Sequence, residues 1–291
     1  MARQQSDWMT GWLVGANGLH QSHDGRQWCP TGGAGHLVTD LIRQPSRLLC
    51  ATLAGLWAID PDSPWRQLHD ETLTEVLGIA ADAGDPGVVA ASPYGLAFGR
   101  SSGHGAKRWR SRSDGLRLNE RFSSAVLAHP WAPESWLVAT EDGVLVYAAA
   151  EDRWERTELA GLPCRVLLYA HGSLWAGTDG GGIRRSADGH SWLRAGTGLD
   201  HDSVFALSAT AEGILAGTLQ GICAGDGDST WQRSGPSLLV SAVATHPDEE
   251  GQWLASANPG GLWRTEDGGT RWSQVGGFDS VRTILAPEKA T

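Results

Sequence analysis

The chain has 291 residues, 41% hydrophobic and 19% charged, and a formal net charge of -10. Such a composition belongs to a folded globular chain. The acidic balance excludes a general binder of nucleic acid or anionic membrane, since both need a basic footprint. No run approaches the roughly 18 apolar residues of a membrane span. Met1 to Trp8 show no apolar secretory core, so a cytoplasmic location is expected. Cys29, Cys50, Cys164 and Cys223 form no CxxC pair. Neither a zinc ribbon nor a redox motif is supported, and free, mostly buried thiols are predicted.

Repetition is visible from the first strand-like segment onward. Trp12 to Gly15 is followed by Gly18, and a polar turn then leads to Trp28. A Gly before an apolar residue returns as Gly55, Gly95, Gly143, Gly182, Gly221 and Gly261, at intervals of 37, 40, 48, 39, 39 and 40 residues. In phase with it run Trp65, Trp109, Trp154, Trp192, Trp231 and Trp272. A period near 40 with no helical pattern between anchors predicts four short strands per unit, as in propeller blades.

The units are predicted at 12–28 with 281–286, then 37–68, 76–113, 122–157, 165–195, 203–234 and 240–275. The third is the loosest, because Arg100 to Arg108 is inserted into its outer hairpin. The first lacks an inner strand, and Val281 to Ala286 has the missing pattern. The sequence thus predicts one all-β domain, a seven-bladed β-propeller of four-stranded antiparallel blades. The C-terminal strand completes the N-terminal blade and closes the ring, removing both open edges. Residues 1–8 and 288–291 are expected to fray.

Three turns carry a common pattern: Ser22-His-Asp24-Gly, Ser186-Ala-Asp188-Gly and Thr265-Glu-Asp267-Gly, each leading to a Trp. They resemble the Asp-box of BNR-repeat propellers, and the chain is most similar to the Ycf48/HCF136-like and WD40/YVTN/BNR-like groups. The likeness implies that Asp24, Trp28, Asp188, Trp192, Asp267 and Trp272 are structural. There the Asp accepts amide bonds from its own turn, Gly takes positive φ, and Trp packs between sheets. Trp8, Trp131 and Trp136 fall outside the series and are candidates for exposed contacts. The likeness to the Ycf48-like group implies a role in assembling a multi-subunit complex.

Chemistry is expected where propellers bind ligands, at one mouth of the channel. Two kinds of loop meet there: those from each outer strand to the next inner strand, and those from second to third strand. They bring His36, His69, Glu75, Tyr94, Arg117, Arg121, Arg165, Asp202 and Arg282 as candidate ligand- or partner-binding residues. Asn17, Glu141, Asp142, Asp179 and Asp279 belong to the same loops. Asp40 and Arg282 fall at equivalent heights on adjacent inner strands, suited to an ion pair. Solvated loop tips are the plain alternative.

The leading reading is a non-enzymatic binding or assembly propeller with a protein partner, no cofactor and no nucleic-acid partner. The alternative is a glycosidase-like hydrolase or a lyase using Asp202, His201, Glu120 or Asp40 at the mouth. No Gly-x-Ser-x-Gly elbow and no His-Glu-x-x-His motif is present. His129, His171 and His246 recur at one repeat position and offer a metal site, against the plainer role of a turn residue.

Overall fold

The structure, a computed structural model, describes residues 10–60, 63–71, 73–81, 87–100 and 109–289. Trp8 and nearly all of the insertion from Arg100 to Arg108 lie outside these residues.

The described chain is built almost wholly of strands. The first stretch gives β1 (Trp12–Ser22), β2 (Cys29–Gln44), β3 (Arg47–Thr52), β4 (Gly55–Ile59) and β5 (Arg66–Gln67). A second sheet follows, of β6 (Gly78–Ala81), β7 (Gly87–Ser92), β8 (Gly95–Arg100) and β9 (Arg110–Arg112). One helical turn, α1 (Leu118–Arg121), interrupts the pattern. The next sheet holds β10 (Ser123–Ala128), β11 (Ser135–Thr140), β12 (Gly143–Ala148) and β13 (Arg153–Arg156). After it come β14 (Cys164–Ala170), β15 (Ser173–Thr178), β16 (Ile183–Ser186) and β17 (Leu193–Arg194). The following sheet contains β18 (Val204–Ala209), β19 (Ile214–Thr218), β20 (Gly221–Gly225) and β21 (Gln232–Ser234). The last four-stranded sheet has β22 (Val240–Thr245), β23 (Trp253–Ala257), β24 (Gly261–Thr265) and β25 (Ser273–Val275), and β26 (Thr283–Leu285) ends the series.

Five sheets are therefore four-stranded, and the sixth has the order β26-β1-β2-β3-β4-β5. Its two long strands have internal structure. A methyl group on Gly11 would stand 2.6 Å from the Ser22 carbonyl oxygen, so the two ends of β1 meet and β1 is a hairpin. Its first arm pairs with β26, Leu13 opposite Leu285 and Gly15 opposite Thr283. Its second arm pairs with the start of β2, His20 opposite Pro30. The rest of β2 pairs with β3. The inner strands touch in succession: β2 with β6, β6 with β10, β10 with β14, β14 with β18, β18 with β22, β22 with β26, and β26 with β2.

Alternation along each strand explains the packing. Leu137 and Ala139 of β11 face Cys164 and Leu174 of the next sheet, whereas Trp136 and Val138 face Val89 and Leu96 of the preceding one. Both faces are covered, so these strands read as near-continuous apolar runs instead of alternating ones. The same logic sends Trp12 and Val14 toward Leu254 and Leu262, and Leu13 toward Val38 and Leu48. Each such fully buried large side chain contributes about 1.5–3 kcal/mol. Trp136, expected as an exposed contact, is buried because it lies in this alternation, whereas Trp131 is exposed. Cys50, Cys164 and Cys223 are buried thiols and Cys29 is exposed. At the end of the described chain the Glu288 amide donates to Thr10 O at 2.9 Å, so this residue is tied down and does not fray.

Candidate partner-binding face

The turns named from the sequence are self-contained. Asp188 Oδ1 accepts from the amides of His190 and Ser191 at 2.8 Å each and from Ser186 Oγ at 3.1 Å. Asp24 Oδ1 does the same with Arg26 and Gln27, and Asp267 Oδ1 takes Arg271 N at 2.9 Å. These amide bonds, the largest influence at each Asp, hold the three carboxyls below their ordinary range. Trp192 Nε1 closes its turn on Gly189 O at 3.1 Å, and Trp231 Nε1 reaches Ala195 O of the preceding sheet at 2.8 Å.

The opposite ends of the strands form the mouth. A second repeated device holds the hairpins there. Thr52, Ser92, Thr140 and Thr218 are buried, and each hydroxyl donates to the carbonyl of the Gly three residues on, at 2.8–2.9 Å. The same oxygens accept the amide two residues on, as from Tyr94 and Asp142 at 3.1 Å. The positive φ of Gly55, Gly95, Gly143 and Gly221 closes these turns, which pushes the two middle residues outward. A bulge recurs at the start of the inner strands, as at Thr39, Ser124 and Ser241. Their hydroxyls donate to carbonyls of the next sheet: Val76 O at 2.6 Å, Cys164 O at 3.0 Å and Val281 O at 3.0 Å.

Several candidate residues are engaged in fastening. Arg165 bridges two turns, with Nη1 on Glu141 at 2.5 Å and Nη2 on Asp179 at 2.6 Å. Glu120 is almost fully buried in α1. Arg156 holds both its oxygens, at 2.6 and 2.8 Å, and the Arg117 amide donates at 2.7 Å. Burial raises this carboxyl, but the Arg156 bonds, the Arg117 amide and the neighbouring charges bring it below the usual range. Asp202 is buried with its Oδ2 2.6 Å from Arg233 Nη2, and His201 is exposed beside it. Asp40 accepts Leu41 N at 2.8 Å and Ile79 N at 2.9 Å, and burial pushes it up to about 6 against those two bonds. The expected Asp40–Arg282 ion pair does not form: Asp40 spends both oxygens on backbone amides. His36 stacks on Trp65 at 5.6 Å, and His69 Nδ1 lies against the Leu56 backbone at 3.0–3.1 Å. Glu75 is half-buried, and Tyr94, Arg117 and Arg121 are exposed.

The three repeated histidines sit at the other end of the sheets and do not converge. His129 Nδ1 accepts Trp131 N and Ala132 N at 3.3 and 3.2 Å, and His246 Nδ1 accepts Asp248 N and Glu249 N at 3.2 and 3.0 Å. His171 Nε2 lies 3.1 Å from Gly213 O. Each fixes its own hairpin or the next. Among the described residues no group of three or more His, Cys, Asp and Glu side chains is gathered to hold a metal ion.

Beyond Tyr94 and Trp131, which the sequence nominated, what sequence reasoning missed is apolar. Ten large hydrophobic side chains are exposed among the described residues. Seven of them, Leu37 in β2, Leu118 in α1, and Leu53, Tyr94, Phe122, Leu219 and Leu239 in the connections, lie at the mouth. Tyr94 is 63% and Leu118 82% exposed. Their signal was present in the sequence as apolar residues inside turns that polar side chains ordinarily fill. On the same face a cavity of about 480 Å³ opens between the β1 hairpin and the loop before β26, lined in part by Asn17, His20, Phe278, Asp279 and Arg282.

No protein-family profile and no curated protein matches the sequence. Solved structures do match. The WD40 domain of Pan2 from Neurospora crassa is 12% identical with a TM-score of 0.59, covering 83% of this chain and 80% of that one. The extracellular domain of a one-component system from B. thetaiotaomicron is 14% identical with a TM-score of 0.65, over 94% of this chain and 50% of that one. An ancestral GH74 enzyme is 15% identical with a TM-score of 0.63, over 91% and 40%. This chain therefore spans half or less of the latter two. Among the described residues no helix is long and apolar enough to cross a membrane. Sheets, contacts and neighbours together identify the fold as a β-propeller.

Proposed function

We propose that the chain is a single closed seven-bladed propeller of the Asp-box kind, acting as a non-enzymatic binding or assembly module. A protein partner with an apolar surface docks on the mouth face. The blade count rests on reading the β26-to-β5 sheet as two blades sharing β2. Closure is supported by the apolar cluster of Trp12 and Val14 with Leu254, Leu262 and Val281. The partner is supported by one observation above all: seven of the ten exposed large hydrophobic side chains stand on one face. Scattered single exposures need no explanation, but concentration on one face does. WD40-type propellers such as the Pan2 domain share the architecture. The hydrolase or lyase reading requires a free carboxylate pair, and Glu120, Asp202 and Asp40 are each engaged.

Photo-crosslinking tests the docking face. A photoreactive residue placed at 94 or 118 is expected to give a discrete adduct in cells, identifiable by mass spectrometry. The same residue at 131 or 193, away from the mouth, is expected to give none. Adducts from the control positions alone, or from neither set, would refute the proposal.

A further inference from the structure

We propose that the cavity beside β26 binds a small zwitterionic ligand of the α-amino acid class, with Arg282 taking the carboxylate and Asp279 the ammonium group. The argument begins with the bulge positions. Thr39, Ser124 and Ser241 satisfy their hydroxyls on the next sheet, and Arg165 satisfies its charge on Glu141 and Asp179. Arg282 occupies the corresponding position in the C-terminal strand, one residue before Thr283, which pairs with Gly15. Among the described residues it alone of these polar bulge side chains has no hydrogen-bond or ion-pair partner. Asp279 lines the same cavity and is likewise without a side-chain partner. Two opposite charges therefore share one cavity and do not neutralise each other.

The backbone of both residues is held by hydrogen bonds. Arg282 N donates to Gly15 O at 2.8 Å, and Asp279 O accepts from Gly260 N and Gly261 N at 3.1 Å each. The remaining lining suits an organic body. Phe278 packs edge-on against His20 at 5.2 Å, and Leu37 adds an apolar wall. Asn17 Oδ1 is spent on Gly35 N at 2.8 Å, which leaves its amide nitrogen as a donor. His20 Nδ1 is buried without a partner, and burial lowers its basicity, so it adds a polar atom without a second cation near pH 7. About 480 Å³ lies within the usual range for ligand cavities and exceeds a single amino acid, so side-chain size is not restrictive. A simple anion is disfavoured by Asp279, and a simple cation by Arg282; a molecule carrying both charges meets neither objection.

Calorimetric titration of the full chain with the twenty common amino acids tests this. The best binder is then compared with its decarboxylated amine and its deaminated acid. The amino acid is expected to bind about tenfold tighter than either analogue. In Arg282→Gln the advantage over the amine disappears, and in Asp279→Asn, an exposed loop change, the advantage over the acid disappears. Equal affinity for all three compounds, no binding by any amino acid, or unchanged preferences in both variants would overturn the inference. The outcome does not depend on the proposed protein partner, because the titration of the purified chain contains none, although Leu37 belongs to both the cavity and the apolar face.

Discussion

Asp40 is a carboxylate whose environment departs far from its ordinary chemistry. Its carboxylate receives two amides and no cation, and burial raises it to about 6. A raised carboxyl costs stability while ionised, so this cost is present above about pH 6 and is relieved as the pH falls toward its unfolded value near 4. The turn residues Asp24, Asp188 and Asp267 behave oppositely. Their lowered carboxyls stabilise the fold above the unfolded value near 4, and that stabilisation is lost as pH falls through their folded values. His20 and His129, lowered by burial, lose stabilisation below their unfolded value of 6.5. Urea unfolding between about pH 7.5 and about pH 5 isolates the Asp40 share by difference. Wild type is expected to gain stability relative to Asp40→Asn on acidification; parallel pH profiles would contradict this assignment.

At the scale of elements, the strand pattern was legible because Gly and Trp anchors mark every repeat, and each has a local physical job. Gly221 takes positive φ at its hairpin, and Trp231 reaches back to the preceding sheet. The Asp turns were legible for the same reason: each is closed by residues adjacent in sequence. Contacts between distant residues were not. Arg43 of β2 donates to Gly11 O and to Ala286 O, tying both ends of the chain to one strand, and no local pattern announces it. Its buried guanidinium is lowered to about 10. Likewise the partners of Glu120 and Asp202, Arg156 and Arg233, lie 36 and 31 residues away, so their carboxylates looked free in the sequence. Arg43→Ala is expected to cost about 2–3 kcal/mol in urea unfolding, from the loss of charged hydrogen bonds. It should also speed amide hydrogen exchange in β26 more than in β14. Unchanged exchange at residues 283–285 would show that Arg43 does not fasten the terminus.

For the whole molecule, division of labour follows from topology. Both faces of each sheet are consumed by packing, and the Asp turns and repeated histidines fasten the end away from the mouth. The mouth combines most of the exposed large apolar side chains of the described residues with a cavity lined by the opposite charges of Arg282 and Asp279. The asymmetry is faint in the sequence, because Leu53, Tyr94 and Leu219 are single apolar residues inside turns and form no periodic pattern. Hydroxyl-radical footprinting, compared between intact cells and the purified chain, tests the central claim directly. Tyr94, Leu118, Phe122 and Leu219 are expected to be protected in cells, with Trp131 and Tyr169 labelled alike in both settings. Equal labelling of the mouth residues, or protection confined to Trp131 and Tyr169, would contradict the assignment of the mouth as the docking face.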